Sequence, residues 1–285
     1  MLSTGERVGT IEEMVADYTS SPHFNSLAKS TKREYIRYLR MLVDGLGNDL
    51  SEALLPHHVA RIRDNIGTEK PGKANAMVRV IGALYVWGRE RGWCKINPAE
   101  GIKKLKGGEY QPWPPNALAA IDSLRPDIAF ACKIALHTGQ RMGDVVGMRR
   151  TDIQAGKIFV RQEKTGKELL IPLHTEIRHE FLSGQGQSVC WKQAGSGDWT
   201  TEQFEAAFQR ERAKVPALEN VVFHGLRKNA TVKLAEVGCT THEIASITGM
   251  SLPMVEHYTR GVRQALLADR AMEKVQAYKD VLTTP

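Results

Sequence analysis

Residues 157–173, KIFVRQEKTGKELLIPL, decide the fold class, because they interrupt a chain whose other periodic segments predict helices. Residues 157–163 alternate apolar and polar side chains as a strand does, and residues 164–167 form a turn. Residues 168–173 then return as a second strand. The pattern predicts one β-hairpin, and hence a small β-sheet, in a mainly α-helical protein.

Four helices are predicted before this hairpin, within the first hundred residues. The stretch TIEE at residues 10–13 is a capping box that opens the first helix, and TKRE at residues 31–34 repeats the device and predicts the start of the second. Pro56 suits the first turn of the third helix. The fourth is predicted from about residue 73 to residue 91 by its apolar periodicity. Together they indicate a helical N-terminal domain.

A broken, basic segment follows the fourth helix. It contains Lys103, Lys104 and Lys106 between glycines, and three prolines follow within a few residues. Proline and glycine punctuate structure, so this segment is predicted to be a linker. The boundary is expected near residues 100–113, which gives an N-terminal domain at residues 1–107 and a second domain at residues 108–285.

The second domain is predicted to combine the hairpin with helices on both sides of it. The helices are expected at about residues 115–124, 127–138, 175–182, 201–213, 225–237, 241–248 and 252–259. A separate, last amphipathic helix is predicted at about residues 263–278, and residues 184–200 are predicted to be an irregular, mobile loop. The expected class of this domain is α+β.

The net charge favours a polyanionic partner. The chain has 285 residues, a formal charge of +7 and a pI of about 9.2. The basic excess is concentrated in residues 22–106, which carry 16 Lys and Arg against 8 Asp and Glu. Clustered basic charge is typical of proteins that bind nucleic acids.

Cysteine usage and hydropathy indicate a reducing, aqueous compartment. The four cysteines, at positions 94, 132, 190 and 239, are far apart and form no CxxC pair, which argues against a zinc site and a disulfide framework. Residues 1–14 lack the apolar core of a secretory signal, and no run reaches the roughly 18 apolar residues of a membrane span. We therefore expect a cytoplasmic protein with no membrane partner.

Five side chains over about 120 residues carry the chemistry. They are Arg141, Lys164, His224, Arg227 and Tyr258. Paired arginines can neutralise the non-bridging oxygens of a phosphodiester and favour its pentacoordinate transition state. A tyrosine can attack as a covalent nucleophile, while a lysine and a histidine can move protons. No carboxylate pair near these residues indicates a magnesium site, so we expect metal-independent chemistry without a cofactor.

These residues stand in motifs that resemble those of the tyrosine recombinases of the phage integrase family. The sequence TGQRMGDVV at residues 138–146 resembles the first arginine box, including the acidic Asp144 three residues after the arginine. Lys164-Thr165, followed by Ile171-Pro172-Leu173, resembles the family's hairpin lysine and the strand after it. The sequence HGLR at residues 224–227 resembles the His-x-x-Arg box, and VEHYT at residues 255–259 resembles the nucleophile segment. The resemblance covers nearly the whole chain.

The resemblance implies a lambda integrase-like site-specific recombinase. Its fold would be a four-helix core-binding (SAM-like) domain joined to an α+β catalytic domain. Arg141 and Arg227 would clamp the scissile phosphate, Lys164 would be the general acid, and His224 would assist proton transfer. Tyr258 would form a 3′-phosphotyrosyl bond, and Asp144 would orient its neighbours without reacting.

The resemblance also implies partners. Integration or excision would proceed through a Holliday junction, on double-stranded DNA, with four copies of the chain on two duplexes. An accessory DNA-bending protein is a further expected partner, and the bacterial nucleoid is the expected location. The chain begins almost at its first core-binding helix, so it resembles a two-domain recombinase or a piece of a longer one.

One residue departs from the family pattern and keeps an alternative open. Met250 stands where the family usually has His or Trp, and methionine cannot donate a hydrogen bond to a phosphate. A DNA-binding homologue with weakened catalysis is therefore one alternative. A type IB topoisomerase shares the chemistry and is another, although a compact core-binding domain and a linker favour recombination.

Several basic side chains are candidates for contacts with DNA phosphates, which would make binding salt-dependent. They are Lys32, Arg33 and Arg37 on the second helix, Lys73 on the fourth, Lys103, Lys104 and Lys106 in the linker, and Arg150 and Lys228 beside the active site. The last helix is expected either to pack on its own domain or to dock on a neighbouring subunit. In the second case, deleting residues 263–285 would weaken assembly on DNA.

Overall fold

The computed structural model describes residues 9–183, 188–190 and 197–283, and it describes side chains as far as residue 276. Helices dominate the described part of the chain, beside one small antiparallel sheet. This confirms the predicted fold class. The chain divides into two compact units between Glu109 and Tyr110, each with its own hydrophobic core.

The first unit consists mainly of helices in its described residues. Its helices are α1 (Ile11–Ser20), α2 (Pro22–Asn25), α3 (Lys29–Leu46), α4 (Pro56–Gly67) and α5 (Pro71–Arg89). The predicted capping box at the start of α1 is confirmed. Thr10 Oγ1 accepts a hydrogen bond from Glu13 N at 3.2 Å, and Thr10 N donates to Glu13 Oε2 at 2.9 Å.

The predicted N-cap of the second long helix, Thr31, is wrong by three residues. Helix α3 begins at Lys29, with Ala28 in the N-cap position and no side-chain hydrogen bond to cap it. Thr31 therefore lies inside the first turn. A capping side chain contributes only about 1 kcal/mol, so it does not fix a helix start when the preceding residues can also take helical geometry. The short helix α2, which the periodicity did not predict, precedes this start.

Residues 102–114 form neither helix nor strand, but the first part of this segment is fixed to the first unit. Asn75 binds the backbone of Leu105 twice, because its Oδ1 accepts from Leu105 N and its Nδ2 donates to Leu105 O, each at 2.9 Å. Arg63 Nη1 donates to Lys103 O at 2.7 Å. The basic segment therefore follows a defined path along α4 and α5.

The second unit surrounds a small sheet with helices. The helices are α6 (Pro115–Ala119), α7 (Pro126–Thr138), α8 (Met142–Gly147), α9 (Thr175–Ser183), α10 (Thr201–Arg212), α11 (His224–Glu236), α12 (Thr241–Thr248) and α13 (Leu252–Thr283). The strands are β1 (Ile153–Gln154), β2 (Lys157–Arg161) and β3 (Glu168–Pro172). Helix α6 covers the first half of the helix predicted at about residues 115–124, whereas α8 and the two-residue β1, which were not predicted, are too short for sequence periodicity to be informative.

The predicted hairpin is formed by β2 and β3. They pair antiparallel with Phe159 opposite Leu170, in the order β1-β2-β3. Ile158, Val160 and Ile171 point inward and join the core built around α7. The alternation of exposed and buried residues follows from the two-residue period of a strand.

The two predicted C-terminal helices are one. Helix α13 runs without a break from Leu252 to Thr283, across the end predicted at about residue 259. Gly261 lies in this stretch, and an added Cβ there would meet nothing within 4 Å. A glycine in a helix costs only about 1 kcal/mol, and Thr259 and Val262 extend the buried face across it.

Two further predictions concern connections and membranes. The loop predicted at residues 184–200 lies largely outside the described residues, which include only 188–190 and 197–200 of it. Among the helices that the structure describes, none has the length and apolar character needed to cross a bilayer.

Candidate active site

The end of helix α7 places Arg141. The helix stops at Gly139, whose φ of +64° is left-handed, and an added Cβ there would lie 2.8 Å from Thr248 Cγ2. The chain then turns, and Arg141 becomes the N-cap residue of α8. Its Nη1 donates to Gln162 Oε1 at 3.2 Å and lies 3.6 Å from Asp144 Oδ2. The guanidinium is half-buried and held from two sides.

Asp144 connects this turn to the hairpin. Its Oδ1 accepts a hydrogen bond from Glu163 N at 2.9 Å, while Oδ2 faces Arg141. The carboxylate is buried. Asp144 therefore fixes the spacing between Arg141 and the turn that carries Lys164.

Lys164 lies in the turn that joins β2 to β3. The turn is closed by Gly166 N, which donates to Gln162 O at 2.8 Å, and by Gln162 N, which donates to Lys167 O at 2.8 Å. Gly166 has a φ of +66°, which only glycine adopts without strain. The Lys164 side chain is exposed, and its charge is close enough to His224 to lower that residue's pKa.

Helix α11 supplies the second arginine. Arg227 is 3% exposed, and its Nη1 donates to Gly139 O at 2.6 Å, which ties α11 to the turn before Arg141. Burial, and then the neighbouring Arg141 guanidinium, lower the pKa of Arg227 to about 10. The side chain stays charged near neutral pH, in a place where a bound anion would be stabilised.

His224 is the first residue of α11 and is surrounded by cations. Burial lowers its pKa below the ordinary value, and the charges of Arg227, Arg141, Lys164 and Lys228 lower it further. The imidazole is therefore neutral near pH 7 and can accept a proton. The ring of Tyr110 lies against it, with 5.1 Å between ring centroids.

Tyr258 reaches the same site from helix α13. The Nζ of Lys228 lies 4.4 Å from the centroid of the Tyr258 ring, a cation–π distance. Tyr258 is half-buried and close enough to Arg227 to influence the pKa of that guanidinium. The structure thus brings the five sequence-predicted side chains together from α7–α8, the hairpin turn, α11 and α13.

Met250 packs into the interior. It is buried beside Ile244 and Val255, and its sulfur accepts a hydrogen bond from Thr231 Oγ1 at 3.6 Å. Its backbone oxygen accepts from Lys167 Nζ at 3.3 Å. The Met250 side chain therefore supports the segment before Tyr258 and offers no donor to a phosphate.

The sequence predicted that Lys228 and Arg150 contact DNA phosphates beside the active site. In the structure, both side chains are largely occupied by partners within the protein. Lys228 is only 7% exposed and contacts the Tyr258 ring. Arg150 Nη1 donates to Phe181 O and to Glu180 O, while its Nε and Nη2 are buried. The Arg150 guanidinium caps the end of α9, because free carbonyls at a helix C-terminus attract cationic donors. This geometry argues against a direct phosphate contact by Arg150.

Most basic candidates on the first unit are exposed. They are Arg33, Arg37, Lys73, Lys103, Lys104 and Lys106. Lys32 is half-buried and donates from Nζ to Asn25 O at 2.6 Å, which holds α2 against α3. Lys32 therefore differs from the others in burial, because its side chain is half-buried whereas theirs are exposed.

The sequence reasoning missed Gln162 and Lys167, which contact the site from the hairpin. A signal for Gln162 was present. Along β2 the inward positions are Ile158 and Val160, and Gln162 is the next residue of that series. A polar residue at an inward strand position needs internal hydrogen-bond partners, and so points to a network.

One cluster among the described residues has metal-ligand chemistry. It consists of His137, His174 and Glu176, whose ligand atoms lie within 4.8 Å of one another. The two imidazole rings stack nearly parallel, 4.0 Å apart with 10° between their planes. A metal ion binds in the plane of each imidazole, so two parallel stacked rings are poorly arranged to share one ion. The hydrogen bond between His137 Nε2 and Glu176 Oε2, at 3.1 Å, fits a polar contact between α7 and α9 better.

Both the sequence and the fold of the chain are similar to those of known proteins. Residues 116–264 match the sequence model of the phage integrase family. The integrase of Enterobacteria phage P21 is 24% identical over an alignment of 162 residues, and the match covers 53% of this chain and 42% of that relative. The chain therefore spans less than half the length of this curated relative.

Solved structures show the shared fold. A lambda integrase dimer bound to a COC′ core site has a TM-score of 0.75 at 19% identity, covering 88% of this chain and 95% of that one. A lambda integrase tetramer bound to a Holliday junction also has a TM-score of 0.75, at 20% identity, covering 90% of this chain and 79% of that one.

Proposed function

Because this chain belongs to the phage integrase family, we propose that it is a tyrosine recombinase that cuts and rejoins DNA at specific sites. The observation that carries the proposal is the convergence of Arg141, Lys164, His224, Arg227 and Tyr258 from four separate segments of the second unit. A structural role alone does not require two guanidiniums, a neutral histidine and a phenol in one place.

The arginines prepare the phosphate. A DNA phosphodiester carries a negative charge that repels nucleophiles, and two guanidiniums on its non-bridging oxygens offset that charge. Arg227 is buried and Arg141 half-buried, so their attraction for an anion is less screened by water than at an exposed surface. The anion would in turn stabilise both guanidinium charges. Without it, burial and the repulsion from Arg141 lower the pKa of Arg227.

Tyr258 attacks the phosphorus in the proposed reaction. A bond forms between the phenol oxygen and phosphorus, and the bond to the 5′-oxygen breaks, which leaves a 3′-phosphotyrosyl link and a free 5′-hydroxyl. His224 accepts the phenol proton, because its lowered pKa keeps it neutral. Lys164 donates a proton to the leaving 5′-oxygen from the hairpin turn.

The second half of the reaction reverses the first on a new strand. The 5′-hydroxyl of another duplex attacks the phosphotyrosyl link and releases Tyr258, so the energy of the broken bond is kept and no cofactor is consumed. Two such exchanges pass through a Holliday junction and give integration or excision. The lambda integrase tetramer on a Holliday junction supports this order of events as a proposal for our chain.

The partners in the proposal are double-stranded DNA and further copies of the chain. Exposed basic side chains of the first unit, including Arg33, Lys73 and Lys106, would bind backbone phosphates, so affinity should fall steeply with salt. Helix α13 presents Leu267, Met272 and Val275 to solvent. This apolar stripe would dock on a neighbouring subunit in a tetramer on two duplexes. A DNA-bending accessory protein completes the proposed assembly, at the bacterial nucleoid.

Covalent capture tests the proposal. The wild type and Tyr258→Phe are incubated in EDTA with nicked suicide duplexes covering the ends of the element that encodes the protein, and then separated on a denaturing gel. We expect a protease-sensitive adduct on the 3′ side of the cut from the wild type, and none from the variant. An adduct that persists in Tyr258→Phe would refute the assignment of the nucleophile.

Met250 supports one alternative, a homologue that binds DNA with weakened catalysis. Its sulfur is turned toward Thr231 and its side chain offers no donor at a position where the family usually has one. Removal of one such donor can cost about 10²–10³ in rate. A duplex that is bound without an adduct would favour this alternative, whereas relaxation of plasmids regardless of sequence would favour a type IB topoisomerase.

A further inference from the structure

Two buried glutamines lie directly behind Arg141. Gln140 is 1% exposed and Gln162 is 0% exposed. Burying an amide is unfavourable unless its donors and acceptors find partners, so both side chains should be fully hydrogen-bonded. They are, and their partners come from the loop after α7, the hairpin and the end of α12.

The network fixes which way each amide points. Gln140 Nε2 donates to Thr138 O and to Ile247 O, both at 2.9 Å, and its Oε1 accepts from Gln162 Nε2 at 2.7 Å. Gln162 Nε2 also donates to Thr248 O at 3.0 Å. Carbonyl oxygens only accept hydrogen bonds, so neither amide can be reversed without losing these contacts.

The orientation leaves the carbonyl oxygen of Gln162 for the active site. Gln162 Oε1 accepts from Thr165 Oγ1 at 2.8 Å and from Arg141 Nη1 at 3.2 Å. One of the five N–H groups of the guanidinium is therefore engaged by a rigid, neutral acceptor. The other N–H groups can still be directed toward an anion.

We propose that Gln162 is a positioning residue for Arg141, which holds the guanidinium in the orientation that meets the scissile phosphate. The role rests on the function proposed above. Gln162 connects three parts of the site. Its Oε1 contacts both Arg141 and Thr165, which lies in the turn that carries Lys164, and its Nε2 binds Thr248 O in the segment that leads to Tyr258.

A glutamine suits this task better than a carboxylate. Glutamate at this position would lose the donors that reach Gln140 and Thr248, and would place a negative charge against Arg141. That charge would add to the charge of Asp144, which already faces Arg141, and would compete further with the phosphate for the guanidinium. A neutral acceptor holds Arg141 without this added competition.

The test compares two substrates on the duplex that the wild type captures. One carries the natural scissile phosphate, and the other carries a methylphosphonate there, in which a methyl group replaces a non-bridging oxygen and removes the negative charge. Single-turnover cleavage is measured for the wild type and Gln162→Met, below the melting temperature of each. Hydrogen-bond partners that orient metal ligands typically contribute about 10- to 100-fold to affinity or activity, and by analogy we expect a loss of this size on the phosphate. On the methylphosphonate the two proteins should cleave alike.

Asp127→Asn is the matched control. Asp127 is also fully buried and binds Arg125 through two hydrogen bonds, at the opposite end of helix α7 from Arg141. The variant perturbs a buried polar contact of the same unit away from the site. It should cleave both substrates as the wild type does.

The outcomes separate this role from the proposed function. An equal loss for Gln162→Met on both substrates would show a structural role only and overturn the proposal, as would no loss on the phosphate. Absence of a wild-type adduct on duplexes that the protein binds would overturn the proposed function, and the role of Gln162 with it. A wild-type adduct and a loss confined to the charged phosphate would support both.

Discussion

Replacing Gly249 by alanine should damage the protein in two separable ways. Gly249 ends helix α12 with a φ of +68°, a left-handed conformation that alanine adopts only with strain. An added Cβ would also lie 2.5 Å from Gln162 Nε2 and 2.8 Å from its Cδ and Oε1. Gln162 is buried and cannot move away without breaking its hydrogen bonds.

The magnitude follows from these two effects. A left-handed alanine costs about 1–2 kcal/mol, offset by about 0.4–1 kcal/mol because alanine restricts the unfolded chain. Displacing the Gln162 amide leaves buried polar groups without partners, at about 1–3 kcal/mol. We expect Gly249→Ala to lower the free energy of unfolding of the second unit by about 2–4 kcal/mol.

Gly238→Ala is the control for backbone strain alone. Gly238 also has a left-handed φ, +87°, but the nearest atom to an added Cβ is Arg270 Nη2 at 3.6 Å, an ordinary contact. This variant should lower the free energy of unfolding by only about 1 kcal/mol. The difference between the free energies of unfolding of the two variants then measures the cost of displacing Gln162.

A suitable assay is urea titration in which hydrogen exchange is measured on peptides from residues 110–183 and 224–260. These peptides report on the second unit alone, which is needed because the two units can unfold separately. Gly249→Ala should also lose cleavage, whereas Gly238→Ala should keep it. Equal destabilisation of the two variants would refute the argument that Gln162 is immovable.

Three further predictions concern the proposed chemistry and assembly. Lys164→Ala should cleave about 10²–10⁴-fold more slowly but recover on DNA with a 5′-sulfur leaving group, which needs no acid; failure of the rescue while DNA is still bound would remove Lys164 from the acid role. An NMR titration of His224 should give a midpoint below 6.5. As the pH falls, the unfolded chain then binds the proton at a higher pH than the folded chain does, so His224 destabilises the fold as the pH falls through about 6.5. A midpoint above 6.5 would contradict the neutral imidazole. Leu267→Asp with Met272→Asp, at sites 63% and 59% exposed, should leave the free energy of unfolding within about 0.5 kcal/mol yet weaken assembly on DNA in sedimentation experiments; normal assembly would argue against docking through this helix.

The hairpin shows how far local pattern reaches. Its alternation and its KTGK turn are properties of neighbouring residues, so the sequence predicted both strands to within two residues and placed Lys164 in the turn. The capping box at Thr10 was equally local, and it is formed. The box predicted at Thr31 failed because a weak local preference met a helix that extends further back.

The five candidate site residues were also readable from the sequence, because each stands in a short motif. Their roles remain proposals. The sequence could not show that Lys228 contacts the Tyr258 ring or that Arg150 caps α9. The residues that neighbour a basic side chain in the sequence do not indicate whether it is buried in the folded protein.

What the sequence determined by itself was therefore the class of fold, most helices, the hairpin and the set of residues that could carry phosphoryl-transfer chemistry. Only the tertiary structure decided how those residues are held. Gln162 meets Arg141 across 21 positions and Thr248 across 86, and Arg227 meets Gly139 across 88. Helical and strand patterns report contacts between neighbours in sequence, whereas these hydrogen bonds exist only after distant segments pack and exclude water.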